Sequence, residues 1–215
     1  MSRSSTRRSS RYAGALLALL PIAAAQAGIE ILIPDTIEPV QNNIRAFLSL
    51  TRYAERDDIT QETMSRLQRR IVAETRSALE PLGYYEAEVT YETVHVGDNW
   101  RVTIHVKPGR PVRLSDVSVT VSGPGENERA IREVIEAQDL KPGLRLNHGT
   151  YERVKGGLLR AAKNDGYLDA RLTKNDLIID RQERRATATI EVDTGKRYSY
   201  GTINVAQDVI NDDSM

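Results

Sequence analysis

Hydrophobic positions along the chain follow two rhythms, and both rhythms occur twice. Trp100, Val102, Ile104 and Val106 alternate with Arg101, Thr103, His105 and Lys107, and Ala186, Ala188, Ile190 and Val192 alternate with Thr187, Thr189, Glu191 and Asp193. A period of two predicts, in each stretch, a strand with one buried face. Upstream of each strand the spacing changes to three and four. Ile37, Val40, Ile44 and Phe47 predict a helix from about Ile37 to Leu50, and Met64, Leu67, Ile71, Ala78 and Leu82 a second one, for which Thr60 and Thr63, just beyond Asp58, are candidate caps. In the second half Ile131, Val134 and Ile135, then Tyr151, Val154, Leu158 and Ala161, predict the same pair of helices, joined by "DLKPGLRLNHGT" with its Pro142-Gly143 turn.

The two halves share a phrase. "ALEPLGYYEAEVTYE" (Ala78–Glu92) and "AAKNDGYLDARLTKN" (Ala161–Asn175) each end a helix on a glycine followed by a tyrosine, and aligning Gly83 with Gly166 sets the halves 83 residues apart. Each of the two alternating strands is followed by a glycine turn and another strand, "RLSDVSVTVSG" and "YSYGTINVAQD", while "GIEILIPD" (Gly28–Asp35) fits the same opening position. The order strand, helix, helix, strand, strand therefore predicts units at 28–112 and 113–198, with 199–215 as the first strand of an incomplete third. The predicted class is α+β, each unit a three-stranded sheet covered by two helices. Units of about 80 residues bury only modest cores, so end-to-end stacking would stabilise them.

Gly83 and Gly166 sit where a helix must stop, and glycine takes the left-handed conformation there without a Cβ penalty. Tyr84 and Tyr167 are then structural cap residues that fold back onto the last helical turn, stabilising each unit by roughly 1–3 kcal/mol. Pro81 is expected to end the first copy's helix about a turn early.

The stretch Glu86–Val96 is ambiguous about its inward face: Val89, Tyr91, Thr93 and His95 lie on one side, Val94 and Val96 on the other. A two-residue turn at Asp98-Asn99 would pair Tyr91 with Val106, Thr93 with Ile104 and His95 with Val102. As an edge strand it would offer free backbone groups to an extended polypeptide, making Val89, Thr90, Glu92, Val94 and Val96 the candidate polypeptide-binding residues. The opposing reading is that Glu86, Glu88 and Glu92 guard the edge against such pairing. The matching strand of the second unit, Asp169–Ile179, carries Arg171 and Lys174 and would suit different partners.

Charge and composition change this picture mainly at the start of the chain. The 215 residues hold 30 basic and 30 acidic side chains and no cysteine. Arg3, Arg7, Arg8 and Arg11 precede any acid, the apolar run "AGALLALLPIAAA" follows, and Ala25-Gln26-Ala27 is a small-x-small cleavage site. This predicts an export signal over residues 1–27; the run is shorter than the roughly 20 residues that span a bilayer, and Pro21 interrupts it. Ser10 stands where a twin-arginine signal usually turns apolar, which favours the general secretion route. The remaining chain carries a net charge of −4, which argues against a nucleic-acid partner, and without cysteine an exported chain holds together by packing alone.

Candidate chemistry is thin. The three histidines, His95, His105 and His148, form no Cys-His pair and no metal-ligand spacing. His105 and His148 are expected to be solvated, Asp57-Asp58 to be loop and helix-start residues, and Gly156-Gly157 to permit close helix packing. No catalytic, cofactor-binding or metal-binding residue is expected, and no cofactor.

The element order, the helix-final Gly-Tyr, "DGYLDA" around Gly166-Tyr167, and the transitions "VKPGRPV" and "VDTGKRYSYG" resemble the tandem POTRA (polypeptide-transport-associated) domains of outer-membrane assembly factors, most closely those of the TamA type of translocation and assembly module subunit. The resemblance covers about Ile29 to the end. It implies mixed sheets in which the last strand of each unit is central and the preceding strand is an edge. It also implies a non-enzymatic, periplasmic docking role in the translocation and assembly of autotransporter-type outer-membrane proteins. The implied partners are unfolded outer-membrane polypeptides and a TamB-type inner-membrane-anchored subunit. Family members continue through a third POTRA domain into a barrel; here the sequence stops at Met215, so contact with the outer membrane is expected only through a barrel absent from this chain, which would make it a fragment or an interrupted frame. A POTRA module of secretion or division machinery is the near alternative, and a periplasmic enzyme or small-ligand binder the alternative of a different class.

Overall fold

The computed structural model describes residues 28–97, 99–199 and 201. The expected leader, residues 1–27, and the opening strand of a third unit, apart from Gly201, lie outside the described residues. Elements follow in the order β1 (Ile29–Leu32), α1 (Glu38–Phe47), α2 (Gln61–Leu79), β2 (Glu88–Val96), β3 (Asn99–Lys107), β4 (Arg113–Ser122), α3 (Arg129–Ala137), α4 (His148–Asn164), β5 (Arg171–Asp180) and β6 (Arg185–Asp193). They make two three-stranded mixed sheets, ordered β1-β3-β2 and β4-β6-β5. In each, the first strand runs parallel to the central one and the edge strand antiparallel to it. The class is α+β, with the last strand of each unit at its centre.

Helix α1 stops at Phe47 rather than Leu50. Leu48 and Leu50 are both buried, at 2% and 1% exposure, and two positions apart on an α-helix point in nearly opposite directions. Leu48 takes an extended conformation and a 3₁₀ turn follows over Ser49–Tyr53, which lets both side chains reach the core. Helix α2 starts at a real cap, with Thr60 Oγ1 accepting from the Thr63 N–H at 3.2 Å, and buries Met64, Leu67, Ile71 and Ala78. It ends at Leu79, and Pro81 falls in a short 3₁₀ turn, Glu80–Leu82. In the second unit α3 packs closely on α4 at Gly157, where an added Cβ would lie 3.2 Å from Val134 Cγ1.

Each sheet has its own core. Ile44, Met64, Ile71 and Ile104 belong to the first, Ile131, Leu146, Leu158 and Ile190 to the second. Each fully buried aliphatic side chain contributes about 1.5–3 kcal/mol.

The β2–β3 register corrects the expected one by two residues. Tyr91 faces Ile104, Thr93 faces Val102 and His95 faces Trp100, and Val96 pairs with Asn99. Asn99 therefore belongs to β3 rather than to the turn, and the chain leaves β2 at Gly97. Gly97, at φ 62°, supplies the left-handed backbone a tight hairpin needs, and Asn99 is held in the strand because its Oδ1 accepts the Gly28 N–H at 2.8 Å.

Candidate functional site

Strand β2 pairs with β3 on one side only and forms an edge of its sheet. The ambiguity of its faces is resolved by burial: Val89 is 7% exposed and faces the core, whereas Val94 and Val96 are about half exposed on the opposite face, with Thr90 and Glu92. Of the five candidate polypeptide-binding residues, Val89 thus has only its backbone to offer a strand added at the edge. Two of the three acids that could guard the edge are engaged elsewhere. Glu88 lies 3.7 Å from Lys107 and Glu86 3.9 Å from Arg184, while Glu92 has no ion pair among the described residues. The matching edge β5 is more highly charged, with Arg171 bound to Asp193 at 2.6 Å and Lys174 3.9 Å from Asp176.

The Gly-Tyr phrase does more than end a helix. Gly83 has φ 86°; its N–H donates to Glu80 O at 2.9 Å, and the Tyr84 N–H donates to Leu79 O at 3.1 Å. This paired pattern is a Schellman cap, and it recurs at Gly166, φ 92°, with Tyr167 donating to Ala162 O at 3.0 Å. The Gly83 carbonyl then accepts the Val112 N–H at 2.8 Å, and the Val112 carbonyl accepts the Leu146 N–H at 2.9 Å. A Cβ at Gly83 would lie 2.6 Å from Leu146 O, so the glycine is where the α3–α4 link of the second unit closes onto the first.

The tyrosines differ in use. Tyr84 accepts from Arg145 Nη1 at 2.8 Å, with the guanidinium 5.1 Å over its ring. Tyr85 Oη lies 2.8 Å from His148 Nε2, and Arg181 sits 4.9 Å over the Tyr85 ring. In the second copy Tyr167 is 3% exposed and donates to Glu128 at 2.9 Å, with Arg197 5.8 Å over its ring. The backbone of the second copy nevertheless repeats the first, since the Gly166 carbonyl accepts the Tyr198 N–H at 2.8 Å.

His148 corrects the expectation that it is solvated. It is half-buried at the joint, and burial pushes its pKa below the usual histidine value, with Glu152 and Glu80 pulling the other way. Burial likewise raises the Tyr85 hydroxyl. At neutral pH the imidazole is therefore uncharged, and it shares a single hydrogen bond with the neutral tyrosine hydroxyl. Sequence spacing could not reveal this contact, because the partners are 63 residues apart.

The other candidates are separate. His95 packs on Trp100, ring centroids 4.5 Å apart, and His105 Nδ1 lies 2.7 Å from Asp35 Oδ2 on the open sheet face. Asp58 is bound to Arg56 at 2.6 Å, which holds its carboxyl below the usual range. Among the described residues no group of three or more His, Cys, Asp or Glu side chains is placed to hold a metal ion, and no helix is long and apolar enough to cross a membrane.

Residues 36–108 match the family model described as POTRA domain, TamA domain 1. Similar solved structures include POTRA domains 3–5 of BamA from Haemophilus influenzae, at 15% identity and a TM-score of 0.42 over 83% of this chain and 70% of that one. Another is POTRA domains 1–3 of the periplasmic part of Omp85 from Anabaena, at 17% identity and a TM-score of 0.33, covering 77% of this chain and 59% of that one. BamA from Haemophilus ducreyi lacking POTRA domains 1–3 matches at 14% identity and a TM-score of 0.35, over 77% of this chain and 29% of that one.

Proposed function

We propose that the chain is a non-enzymatic docking scaffold of the periplasm that serves the translocation and assembly of outer-membrane proteins of the autotransporter type. The observation that carries this reading is the POTRA sequence pattern over residues 36–108, which takes in α1, α2, the central strand β3 and the edge strand β2. Strand β2 supplies the means. An extended polypeptide aligned along Glu88–Val96 would gain main-chain hydrogen bonds that depend little on its own sequence, and Val94 and Val96 would give it apolar contact. Such recognition suits unfolded polypeptides of many sequences. A TamB-type inner-membrane-anchored subunit is the second partner this reading names, and the stacked repeat would present one extended surface to both.

The test is photo-crosslinking. With a photoreactive residue at Thr90 in the mature chain, an unfolded outer-membrane barrel polypeptide should give an adduct that the folded barrel does not give. A reactive group at Arg69, on the exposed side of α2, should give none. Equal labelling from Thr90 and Arg69, or none from Thr90, would remove strand addition from the function.

A further inference from the structure

Because β4 runs parallel to β6, the start of the second unit and the β5–β6 hairpin lie side by side. Arg113 pairs with Arg185 in the ladder, and the Arg113 N–H donates to Arg184 O at 3.1 Å. Between them is an open cleft of about 510 Å³ lined by Arg110, Arg113, Arg184 and Arg185, with Glu183 as the one acid among its lining residues. Four positive charges against one negative is a strong local excess in a mature chain whose overall balance is negative.

The excess is barely neutralised. Arg184 has a single distant carboxylate, Glu86 at 3.9 Å, and among the described residues Arg110, Arg113 and Arg185 have no ion pair. Arg113 Nη1 donates to Gly143 O at 2.8 Å, which orients its guanidinium at the cleft. The corresponding place in the first unit, at the start of β1 beside the β2–β3 hairpin, is different. Glu30, Glu55 and Arg101 line it, and Arg101 is bound to Glu30 at 2.6 Å. The repeat does not require the arginine cluster; the second unit alone carries it.

Arg184 adds an independent sign. Its φ of 50° makes it the one non-glycine residue with positive φ among those described. The first unit closes its hairpin with Gly97, φ 62°, a residue that pays no steric penalty in that region. Here the same backbone region is occupied by an arginine that lines the cleft, at a conformational cost glycine would not carry.

We infer that this cleft is an oxyanion site that takes a phosphate group, either as free phosphate or as the headgroup of an anionic lipid. Guanidinium groups bind phosphate oxygens in pairs, and a cluster made of arginine without lysine suits that planar recognition. A bound phosphate would also relieve the mutual repulsion of the four side chains. This inference is independent of strand addition at β2.

The probes are inorganic phosphate and pyrophosphate, titrated calorimetrically into the mature chain at low ionic strength, and vesicles of phosphatidylglycerol compared with phosphatidylcholine. Wild type should bind phosphate saturably. The double variant R110Q/R185Q should bind it at least tenfold more weakly, while R69Q/R132Q, the same loss of charge on exposed helix surfaces, should bind as wild type. R184G should melt at a higher temperature than wild type and bind phosphate at least threefold more weakly, a combination that misfolding cannot produce. Capture by phosphatidylglycerol vesicles through the same arginines would identify the headgroup as the source, and phosphate binding without vesicle capture would identify the free ion. No saturation in wild type, equal weakening in both double variants, or equal binding of acetate and phosphate would overturn the inference.

Discussion

Tyr85 and His148, on opposite sides of the joint between the two sheets, meet at 2.8 Å through the phenol oxygen and the Nε2 ring nitrogen. The tyrosine belongs to the phrase that ends the first unit's second helix; the histidine is the first residue of α4. A proton added to that imidazole would sit at a helix N-terminus, in a half-buried place, against the positive end of the helix dipole. Burial accordingly sets its pKa below 6.5 in the folded chain.

The joint should therefore be sensitive to mild acid. Since the folded state binds fewer protons at His148 than the unfolded state, stability is unaffected by this group well above pH 6.5 and declines as pH falls through that value toward the folded pKa. Urea unfolding at pH 7.5 and at 5.5 should show a lower midpoint at the acid pH. In His148→Gln the part of that difference due to this residue disappears, while Glu80 and Glu152, the carboxylates that act on the imidazole, are retained. An unchanged pH difference in the variant would place the sensitivity elsewhere.

Two glycines with similar backbone should respond differently to substitution. Gly97 has φ 62° and open space around a would-be Cβ, so Gly97→Ala should cost about 1 kcal/mol through backbone conformation alone. Gly83→Val adds a collision with Leu146 O, 2.6 Å from the new Cβ, and should cost about 2 kcal/mol or more. Chemical denaturation of both variants distinguishes a cap that also seals the joint from a cap alone.

The single tryptophan allows the two cores to be followed separately, because Trp100 packs against the first. Ile104→Ala should lower the midpoint of the Trp100 fluorescence transition by an amount equivalent to about 2–5 kcal/mol. Leu158→Ala, equally buried in the second core, should shift that transition much less and act on the circular-dichroism transition instead. Equal shifts of Trp100 would mean that the joint couples the units into one cooperative fold.

Proline at Thr93 or His95, which lie opposite Val102 and Trp100 and so direct their N–H groups away from β3, should weaken capture of an unfolded barrel polypeptide while leaving the second core folded, since proline removes a backbone donor from the β2 edge. Crosslinking yield and the melting curve, measured together, separate loss of docking from loss of fold.

Repeats and alternation made the architecture legible, because burial periodicity is written locally in residues such as Ile104 and Ile190 and the Gly-Tyr phrase marks each helix end. The hairpin register was not legible from that pattern. Registers that differ by two residues place Tyr91 and Thr93 on the same face, and only the backbone of Gly97 and the side-chain bond of Asn99 decide between them. The joint was legible in half: the cap geometry at Gly83 is local, but the partners of Tyr84 and Tyr85, namely Arg145 and His148, come from the next unit. Long-range polar contacts of this kind leave no period in the sequence. The arginine cleft is hidden for the same reason, its walls lying more than seventy residues apart along the chain.

Amide hydrogen exchange across β2 reads strand addition most directly. A polypeptide of residues 28–215 is incubated with and without an unfolded outer-membrane barrel polypeptide, and exchange is followed residue by residue. Slowed exchange at alternate amides between Glu88 and Val96, those that point away from β3, is the predicted result. Exchange unchanged throughout β2 at a polypeptide concentration that saturates binding would contradict docking by strand addition at this edge.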